Sequence, residues 1–334
     1  MKKGSFVMKL GIMGTNWITD AFVEGAINSG EWELNAVYSR TLEKAYAFGE
    51  KYKVANYFDD IEKMASSDVI DAVYIASPNA MHYEHALHFL RNKKHVIVEK
   101  PIFSTVAELE DAHKVAKENG VYLFEAARHI QEPNFKILQD SIQKVGKLHG
   151  ATLAYMNYSS RYDNVLAGEE PNIFSLNFSG GSLVDLGVYP MYTAVALFGV
   201  PEKATYFATK LRTGVDGGGP VIFEYPDFTV TILQAKMSQS FLPSEIYGEK
   251  GTLVLDPLTG IKSIQYADNH TKEIEELAMS TIPNDMEFEA TEFARIITEN
   301  DKLAYEDLED LSKAVLQISN DLRHQNGIWY KVEK

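Results

Sequence analysis

Val7-Met8-Lys9-Leu10-Gly11-Ile12-Met13, followed by Gly14-Thr15-Asn16-Trp17-Ile18-Thr19, is a compact apolar run, a glycine turn and the start of a helical pattern. The pattern continues with Phe22, Val23, Ala26 and Ile27 on one side, so the stretch reads as strand, turn, helix. Working outward, Glu33 to Ser39 is a second short strand, Leu42 to Tyr52 is helical in pattern and Ala72 to Ala76 is a third apolar strand. The alternation continues with a helix over His82 to Arg91, a strand over His95 to Val98, a helix over Val106 to Asn119 and a strand over Tyr122 to Glu125. Strands and helices that alternate in this way predict an α/β domain built on a doubly wound parallel sheet.

After Glu125 the texture changes. Pro133 precedes a helix over Asn134 to Val145, and longer alternating runs follow, such as Ala151 to Tyr158 and Thr229 to Lys236. Period-two alternation fits antiparallel strands with one covered face. Gly217-Gly218-Gly219-Pro220, Gly248 to Gly251 and Asp256-Pro257 punctuate this half, so its strands are expected to be joined by turns. The expected division is a first domain over 1–125 and a second, α+β domain over 126–334 with an open, mainly antiparallel sheet. Two amphipathic helices, over 285–300 and 308–323, are expected to pack on that second sheet. No internal repeat is visible.

The length of 334 residues agrees with two domains. A hydrophobic share of 45% and a charged share of 24% are those of a folded, water-soluble protein. The net charge of -15 opposes nucleic acid and anionic membrane surfaces as partners, because both demand a clustered positive field. With no cysteine, disulfides, thiolate nucleophiles and sulfur-bound metals are excluded, and a cytoplasmic location is compatible. Met1-Lys2-Lys3 precedes too short an apolar stretch for a signal peptide, and no segment is expected to span a membrane.

Gly14 to Thr19 sits where a G-x-G-x-x-G dinucleotide fingerprint would sit, with only the first glycine present. Asn16 and Thr19 replace the other two; asparagine tolerates left-handed dihedrals and threonine is small, so the turn is expected to survive. The second strand ends at Ser39-Arg40, where an NAD-preferring site carries an acidic residue; arginine suits the 2′-phosphate of NADP, with NAD as the alternative. A bland reading of Arg40 is a solvated charge or a cation stacked on the adenine. Ser77-Pro78-Asn79 follows the third strand, at the sheet edge where such folds bind ligands. His82, His85 and His88 drift around a helix without acidic or sulfur companions, so they are not read as a metal site; His82 alone is placed near the cofactor.

Glu99-Lys100-Pro101, together with Gly180-Gly181-Ser182-Leu183-Val184-Asp185-Leu186-Gly187-Val188-Tyr189-Pro190, resembles the glucose-fructose oxidoreductase / inositol dehydrogenase / rhizopine-catabolism (Gfo/Idh/MocA) family. The resemblance spans nearly the whole chain, taking in Gly14 to Ile18, Ser39-Arg40, Ser77-Pro78-Asn79 with His82, and Glu125-Ala126. Within the family it looks nearest to dimeric dihydrodiol dehydrogenase-like members, which use NADP and carry tyrosine where other members carry histidine. The resemblance implies a Rossmann domain followed by a substrate-binding and oligomerisation domain. It also implies a lysine, Lys100, aimed at the nicotinamide, with Gly14, Thr15, Asn16, Trp17, Ile18, Ser39, Arg40, Ser77, Pro78, Asn79, His82, Glu99, Lys100 and Pro101 around the cofactor.

Hydride transfer between nicotinamide and a carbinol or carbonyl carbon leaves a proton to be moved at oxygen. Tyr189 is the expected acid/base, Lys100 the ammonium that favours its phenolate, and Asp185, four residues earlier on a helix, the group that orients Lys100 or a substrate hydroxyl. Tyr192 is the rival of Tyr189, and packing beside Pro190 is its bland role. Arg128, Tyr158 and Arg161 are candidates for the substrate pocket, with surface salt bridges the plainer role for the arginines. Tyr155, Tyr158, Tyr162, Phe174 and Phe178 form an aromatic wall or core. These expectations describe an NADP-dependent dehydrogenase or reductase of a sugar, polyol or diol; the alternatives are an NAD-dependent glycoside hydrolase of the same fold and a non-catalytic dinucleotide sensor. An open sheet with a wet apolar face predicts a homodimer or higher homo-oligomer.

Overall fold

The computed structural model describes residues 7–334, so the Met1-Lys2-Lys3 opening lies outside the described residues. Met8, Leu10, Ile12 and Met13 leave β1 (Met8–Met13) buried on both faces, as a central parallel strand requires. Asn16 starts α1 (Trp17–Ser29), and Gly30, at φ 75°, ends it in the left-handed conformation that glycine adopts without strain. The chain continues through β2 (Trp32–Tyr38), α2 (Leu42–Gly49), β3 (Asn56–Phe58), α3 (Ile61–Ala65), β4 (Ala72–Ile75), α4 (His82–Arg91), β5 (His95–Glu99), α5 (Val106–Asn119) and β6 (Leu123–Ala126). These strands form one parallel sheet in the order β3-β2-β1-β4-β5-β6. The order reverses between β1 and β4, which opens the ligand crevice of a doubly wound sheet there. The short edge strand β3 and the single-turn helix α3 go beyond the expected elements, since neither is long enough to show a period.

The other sheet has nine strands and is mixed, mostly antiparallel. After α6 (Pro133–Ser141) come β7 (Leu148–Met156), α7 (Tyr162–Leu166), a π-helical turn (Leu183–Gly187), α8 (Val188–Phe198), β8 (Lys203–Tyr206), β9 (Thr209–Lys210), β10 (Asp216–Glu224) and β11 (Thr229–Ala235). Then follow β12 (Ser244–Gly248), β13 (Gly251–Asp256), β14 (Ser263–Asp268) and β15 (Ile274–Glu276). The order is β15-β14-β13-β12-β7-β11-β10-β8, with β9 on β10 and β7 parallel to β11. Gly248 and Gly251 flank the tight turn between β12 and β13, as expected. Gly217-Gly218-Gly219-Pro220 does not: it lies inside β10, not in a turn. A Cβ on Gly219 would stand 2.1 Å from the Phe207 carbonyl, and one on Gly218 would stand 2.5 Å from the Ala235 Cβ. The glycines therefore permit a crowded, bulged strand rather than a chain reversal.

The chain divides into two units, the described residues up to Arg128 with Asn284–Asp310, and His129–Pro283 with Leu311–Lys334. This corrects the expected division at 125/126 into two continuous segments. The helix α9 (Met286–Glu299), expected on the second sheet, packs in the first unit. Met286, Ala290, Phe293, Ala294 and Ile296 join the core formed by β1, α1 and β2, and Phe293 stacks on Phe124 of β6 at 4.6 Å. Gly25 is what lets α1 come so close, because a Cβ there would stand 2.8 Å from the Glu287 amide nitrogen. The last helix, α10 (Lys302–Gln325), spans the division at 310/311; Tyr305 bonds His113 in the first unit, while Gln325 bonds the Ala204 carbonyl on β8 in the second. By length and composition alone Leu176–Phe198 is long and apolar enough to cross a membrane, but 72% of its apolar window is buried within the protein, as in a core helix.

Candidate active site

In the first unit, Gly14 takes φ 111°, and a Cβ there would lie 2.8 Å from the Ala76 carbonyl at the end of β4. The turn thus passes close to the neighbouring strand, a path open to glycine alone. Asn16 keeps the turn by a different device from the expected left-handed backbone. Its φ of −95° is extended, its Oδ1 accepts from the amides of Ile18 and Thr19 at 3.0 and 3.2 Å, and its Nδ2 donates to the Ala76 carbonyl at 3.3 Å. Asn16 is an N-cap that also ties the turn to β4. Thr19 is fully buried and Ile18 half-buried, whereas Trp17 is 77% exposed at the first helical position.

A cavity of about 520 Å³ lies beside this helix start, lined by Thr15, Asn16, Trp17, Asp20, Lys44, Phe48 and Lys51. Lys44 comes from α2 and Lys51 from the 3-10 turn that follows it; both escaped the sequence reading, since exposed lysines there carry no distinctive spacing. The Asp20 carboxylate pairs with Lys51 and accepts from Tyr52 Oη at 2.7 Å. Burial would raise its pKa, but the bonds from Lys51 and Tyr52 prevail and hold it below the usual value. The one acidic group of the first helical turn is thereby neutralised, which suits the turn to an anion. Ser39 is buried at the end of β2, and Arg40 is exposed beside it with no ion-pair partner among the described residues.

Ser77 and Lys100 leave β4 and β5 at the same sheet edge as Gly14 leaves β1, and these three strands are neighbours spaced about 5 Å apart. His82 is buried, with Nε2 2.7 Å from the Ser77 carbonyl and Nδ1 3.1 and 3.2 Å from those of Pro101 and Ile102. Both ring nitrogens face carbonyls, so the ring acts as a brace between the Ser77-Pro78-Asn79 loop and the segment after Lys100. Burial, with Lys100 nearby, lowers its pKa despite those carbonyls. His85 bonds Ser77 Oγ at 2.9 Å and His88 pairs with Glu62, so His82 and His85 both hold Ser77 while His88 turns elsewhere.

Glu99 also points inward. Its Oε1 accepts from Tyr74 Oη at 2.7 Å, and burial raises its carboxyl pKa against the pull of Lys100 and Tyr74. Glu125 accepts from the Ile102 amide at 3.1 Å, so the strand-end acids hold the segment that carries half-buried Lys100 and the cis Lys100–Pro101 peptide. Arg128, expected in the substrate pocket, forms a two-oxygen pair with Asp285 at the start of α9. That engagement fits the plainer role, a salt bridge, because a guanidinium held by a partly buried carboxylate is a structural link.

In the second unit the Gly180-Gly181 pair has a steric reason. Gly181 is at φ 132°, and a Cβ there would meet Asp216 Oδ1 at 2.3 Å. Buried Asp216 accepts from the Leu183 amide and from Tyr206 Oη, both at 2.7 Å, and so anchors the π-helical turn to β10. Asp185 lies in that turn and Tyr189 in the first turn of α8. Tyr189 is 7% exposed, with ring edges of His129 and Tyr155 at 5.0 and 5.2 Å; its carbonyl accepts from Thr193 Oγ1 and faces His129 Nε2, each at 3.1 Å. Its rival Tyr192 is buried more deeply.

The carboxylate of Asp185 is paired with Lys236, the residue after β11, whose ammonium lies 4.9 Å from the centre of the Phe174 ring. Sequence reasoning missed Lys236, Asp216, Gln234 and His129. A signal existed for two of them: Gln234 and Lys236 continue the inward phase of Val230 and Ile232, and polar residues in a buried phase need partners. Tyr158 and Arg161 lie at the surface around α7, where Tyr158 Oη donates to Asp163 at 2.7 Å. Phe174 is core, and Tyr162 packs against it.

The family model described as "Oxidoreductase family, NAD-binding Rossmann fold" matches residues 8–127, and the "GFO/IDH/MocA C-terminal domain" matches residues 142–254. The chain is 41% identical over 330 residues to scyllo-inositol 2-dehydrogenase (NADP(+)) IolU of Bacillus subtilis, covering 98% of this chain and 100% of that protein. It is 27% identical over 262 residues to trans-1,2-dihydrobenzene-1,2-diol dehydrogenase of Mus musculus, covering 75% of each. Among solved structures, a 3-ketoreductase of Actinomadura kijaniata, KijD10, in complex with NADP and TDP-benzene superposes with a TM-score of 0.79 at 19% identity, covering 96% of this chain and 98% of that one.

Proposed function

The chain belongs to the Gfo/Idh/MocA oxidoreductase family, and from that membership we propose that it transfers a hydride between NADP(H) and a hydroxyl/carbonyl pair of a polyol, sugar or diol. The observation that carries the reading is the Gly14 turn and Lys100 leaving adjacent parts of one parallel sheet at the same edge. The cofactor fits the residues present. The Gly14 cradle has no room for a Cβ, the start of α1, whose Ile18 and Thr19 amides Asn16 caps, turns its positive dipole end toward a pyrophosphate, and Arg40 and Lys44 supply cations suited to a 2′-phosphate. The stronger likeness to IolU, whose name gives scyllo-inositol and NADP(+), favours a polyol over an aryl diol.

When bound, NADP supplies the hydride acceptor, and its reduced form the donor for the reverse reaction. The chain's own contribution is proton handling and orientation. Tyr189, fixed between His129 and Tyr155, takes the proton from the substrate hydroxyl in oxidation and returns it in reduction. Lys100 stabilises the alkoxide that develops on the reacting oxygen. Asp185 orients a second substrate hydroxyl, and Tyr158 and Arg161 border the substrate.

We extend the reading to a cytoplasmic homodimer or higher homo-oligomer, supported by Ile222, Leu233 and Val254 standing only half-buried on strands whose alternate residues are core. A monomer by light scattering would contradict that part. For the chemistry, Lys100→Met and Tyr189→Phe should each lower kcat by about 10²–10⁴ and leave NADPH binding intact. Folded wild-type protein that binds no NADPH and turns over no member of a cyclitol, sugar and diol panel would sink the reading. Tightly retained cofactor with aryl-glycoside cleavage and no net NADPH formation would replace it with the hydrolase alternative.

A further inference from the structure

The pair formed by Lys236 and Asp185 is asymmetric. The lysine side chain is 3% exposed and the aspartate side chain 31% exposed, so the cation is sealed in the protein and the carboxylate opens outward. Three elements hold the ammonium in place. The Lys236 amide donates to the Gly217 carbonyl at 2.8 Å, its own carbonyl accepts from the Ser159 amide at 2.9 Å, and the Phe174 ring lies across its Nζ. Asp185 is the one acidic partner of that ammonium among the described residues. A lysine sealed this way costs desolvation, and the carboxylate beside it offsets the cost only while it remains ionised. Asp185 is therefore kept as an anion, which can accept hydrogen bonds and cannot donate them.

We propose that Lys236 is a specificity-determining, positioning residue, which fixes Asp185 as an anionic acceptor for a substrate hydroxyl next to the reacting carbon, so that the site selects vicinal diols and polyols. The inference rests on the proposed function and deepens it. Once a substrate covers its open side, an acceptor-only group rejects a molecule that lacks a donor at that place, since the hydrogen bond it made to water is then lost without replacement. An ether, a methylene or a carbonyl beside the reacting carbinol is thus disfavoured, while a hydroxyl there is held. Lys236 touches no substrate in this scheme; it acts through Asp185, by keeping the carboxylate ionised and aimed.

The test compares trans-cyclohexane-1,2-diol with trans-2-methoxycyclohexanol, which keeps the shape and removes the donor. Steady-state oxidation with NADP⁺ gives kcat and KM for each, and calorimetry on the NADP⁺-loaded protein gives their affinities. Wild-type protein should prefer the diol, and Lys236→Met should raise the KM for the diol and weaken its binding by about tenfold or more, with a smaller change in kcat. The preference over the methyl ether should collapse, and Lys236→Arg, which keeps the cation, should restore most of it. Equal folding of the variants is checked by thermal melting; the exposed side of Asp185 lets water solvate the carboxylate that Lys236→Met leaves behind. Unchanged discrimination in a folded Lys236→Met protein overturns the inference and leaves the proposed function standing. Absence of NADP-linked turnover of every panel alcohol by the wild type overturns the proposed function, and the inference with it.

Discussion

Trp32 on β2 donates its indole N–H to the carbonyl of Ala290 on α9 at 2.8 Å, across 258 positions of sequence. The bond closes the first unit with a helix that the chain supplies only after completing the nine-stranded sheet. Gly25 on α1 is the steric partner of that closure, so Gly25→Ala should force the two helices apart and destabilise the protein by about 1–3 kcal/mol. Urea unfolding followed by tryptophan fluorescence measures it. An unchanged midpoint would mean that α9 does not depend on this close approach.

Arg40 should set cofactor preference. It is exposed at the end of β2 with no acidic partner among the described residues, so its removal breaks no ion pair there. Arg40→Ala should weaken NADPH binding by about tenfold, or about 1.4 kcal/mol, and leave NADH binding unaltered. Lys44→Ala should do the same to a smaller degree, and both losses should shrink as salt is raised. Equal losses for NADPH and NADH in a fluorescence titration would remove the 2′-phosphate from the account.

Much of the first unit was legible because its central strands are short, mainly apolar runs and its helices carry an apolar period, with a capping box opening α5: α4 and α5 fall at the boundaries read from the sequence. The fate of α9 was not legible. Its apolar stripe specifies that a face is buried and does not name the surface that buries it, and the complement, Gly25, lies more than two hundred positions away. The glycines of β10 misled for a related reason: glycine marks either a turn or a close approach, and here Phe207 and Ala235 make it the second. In the site, the positions of Lys100, Asp185 and Tyr189 followed from motif order, whereas Lys236 and Asp216 depend on pairings that only the folded second sheet creates.

His82 should behave as a brace. Replacing it with alanine removes the link between the Ser77 carbonyl and those of Pro101 and Ile102, freeing the segment that carries Lys100. His82→Ala should lower kcat/KM by about a hundredfold, because a displacement near 1 Å at a catalytic group costs that much. It should also lower the melting temperature, since the single N–H that the neutral ring donates to these carbonyls and the packing of the buried ring are both lost. A variant with wild-type turnover and an unaltered melt would sink the assignment.

Glu289 on α9 predicts an unusual pH dependence of stability. It is fully buried, and neither carboxyl oxygen has a hydrogen-bond partner among the described residues. Burial raises its pKa well above the ordinary 4.5, and the negative charges of Glu99 and Asp285 add to this while Arg128 opposes it. As the pH rises past the ordinary value, the unfolded chain gives up this proton while the folded protein keeps it. The folded state then binds more protons, so stability falls with rising pH until the buried group itself ionises. Glu289→Met removes both the titration and the unpaired polar atoms, and should stabilise the protein by about 1–3 kcal/mol at pH 8. At pH 4, where the acid is protonated in both states, the gain should be much smaller. Urea midpoints for wild type and variant across that range decide it: the two curves should diverge as the pH climbs, and curves that run parallel, or a variant weaker at pH 8, would show that the carboxyl is solvated or paired in the folded protein.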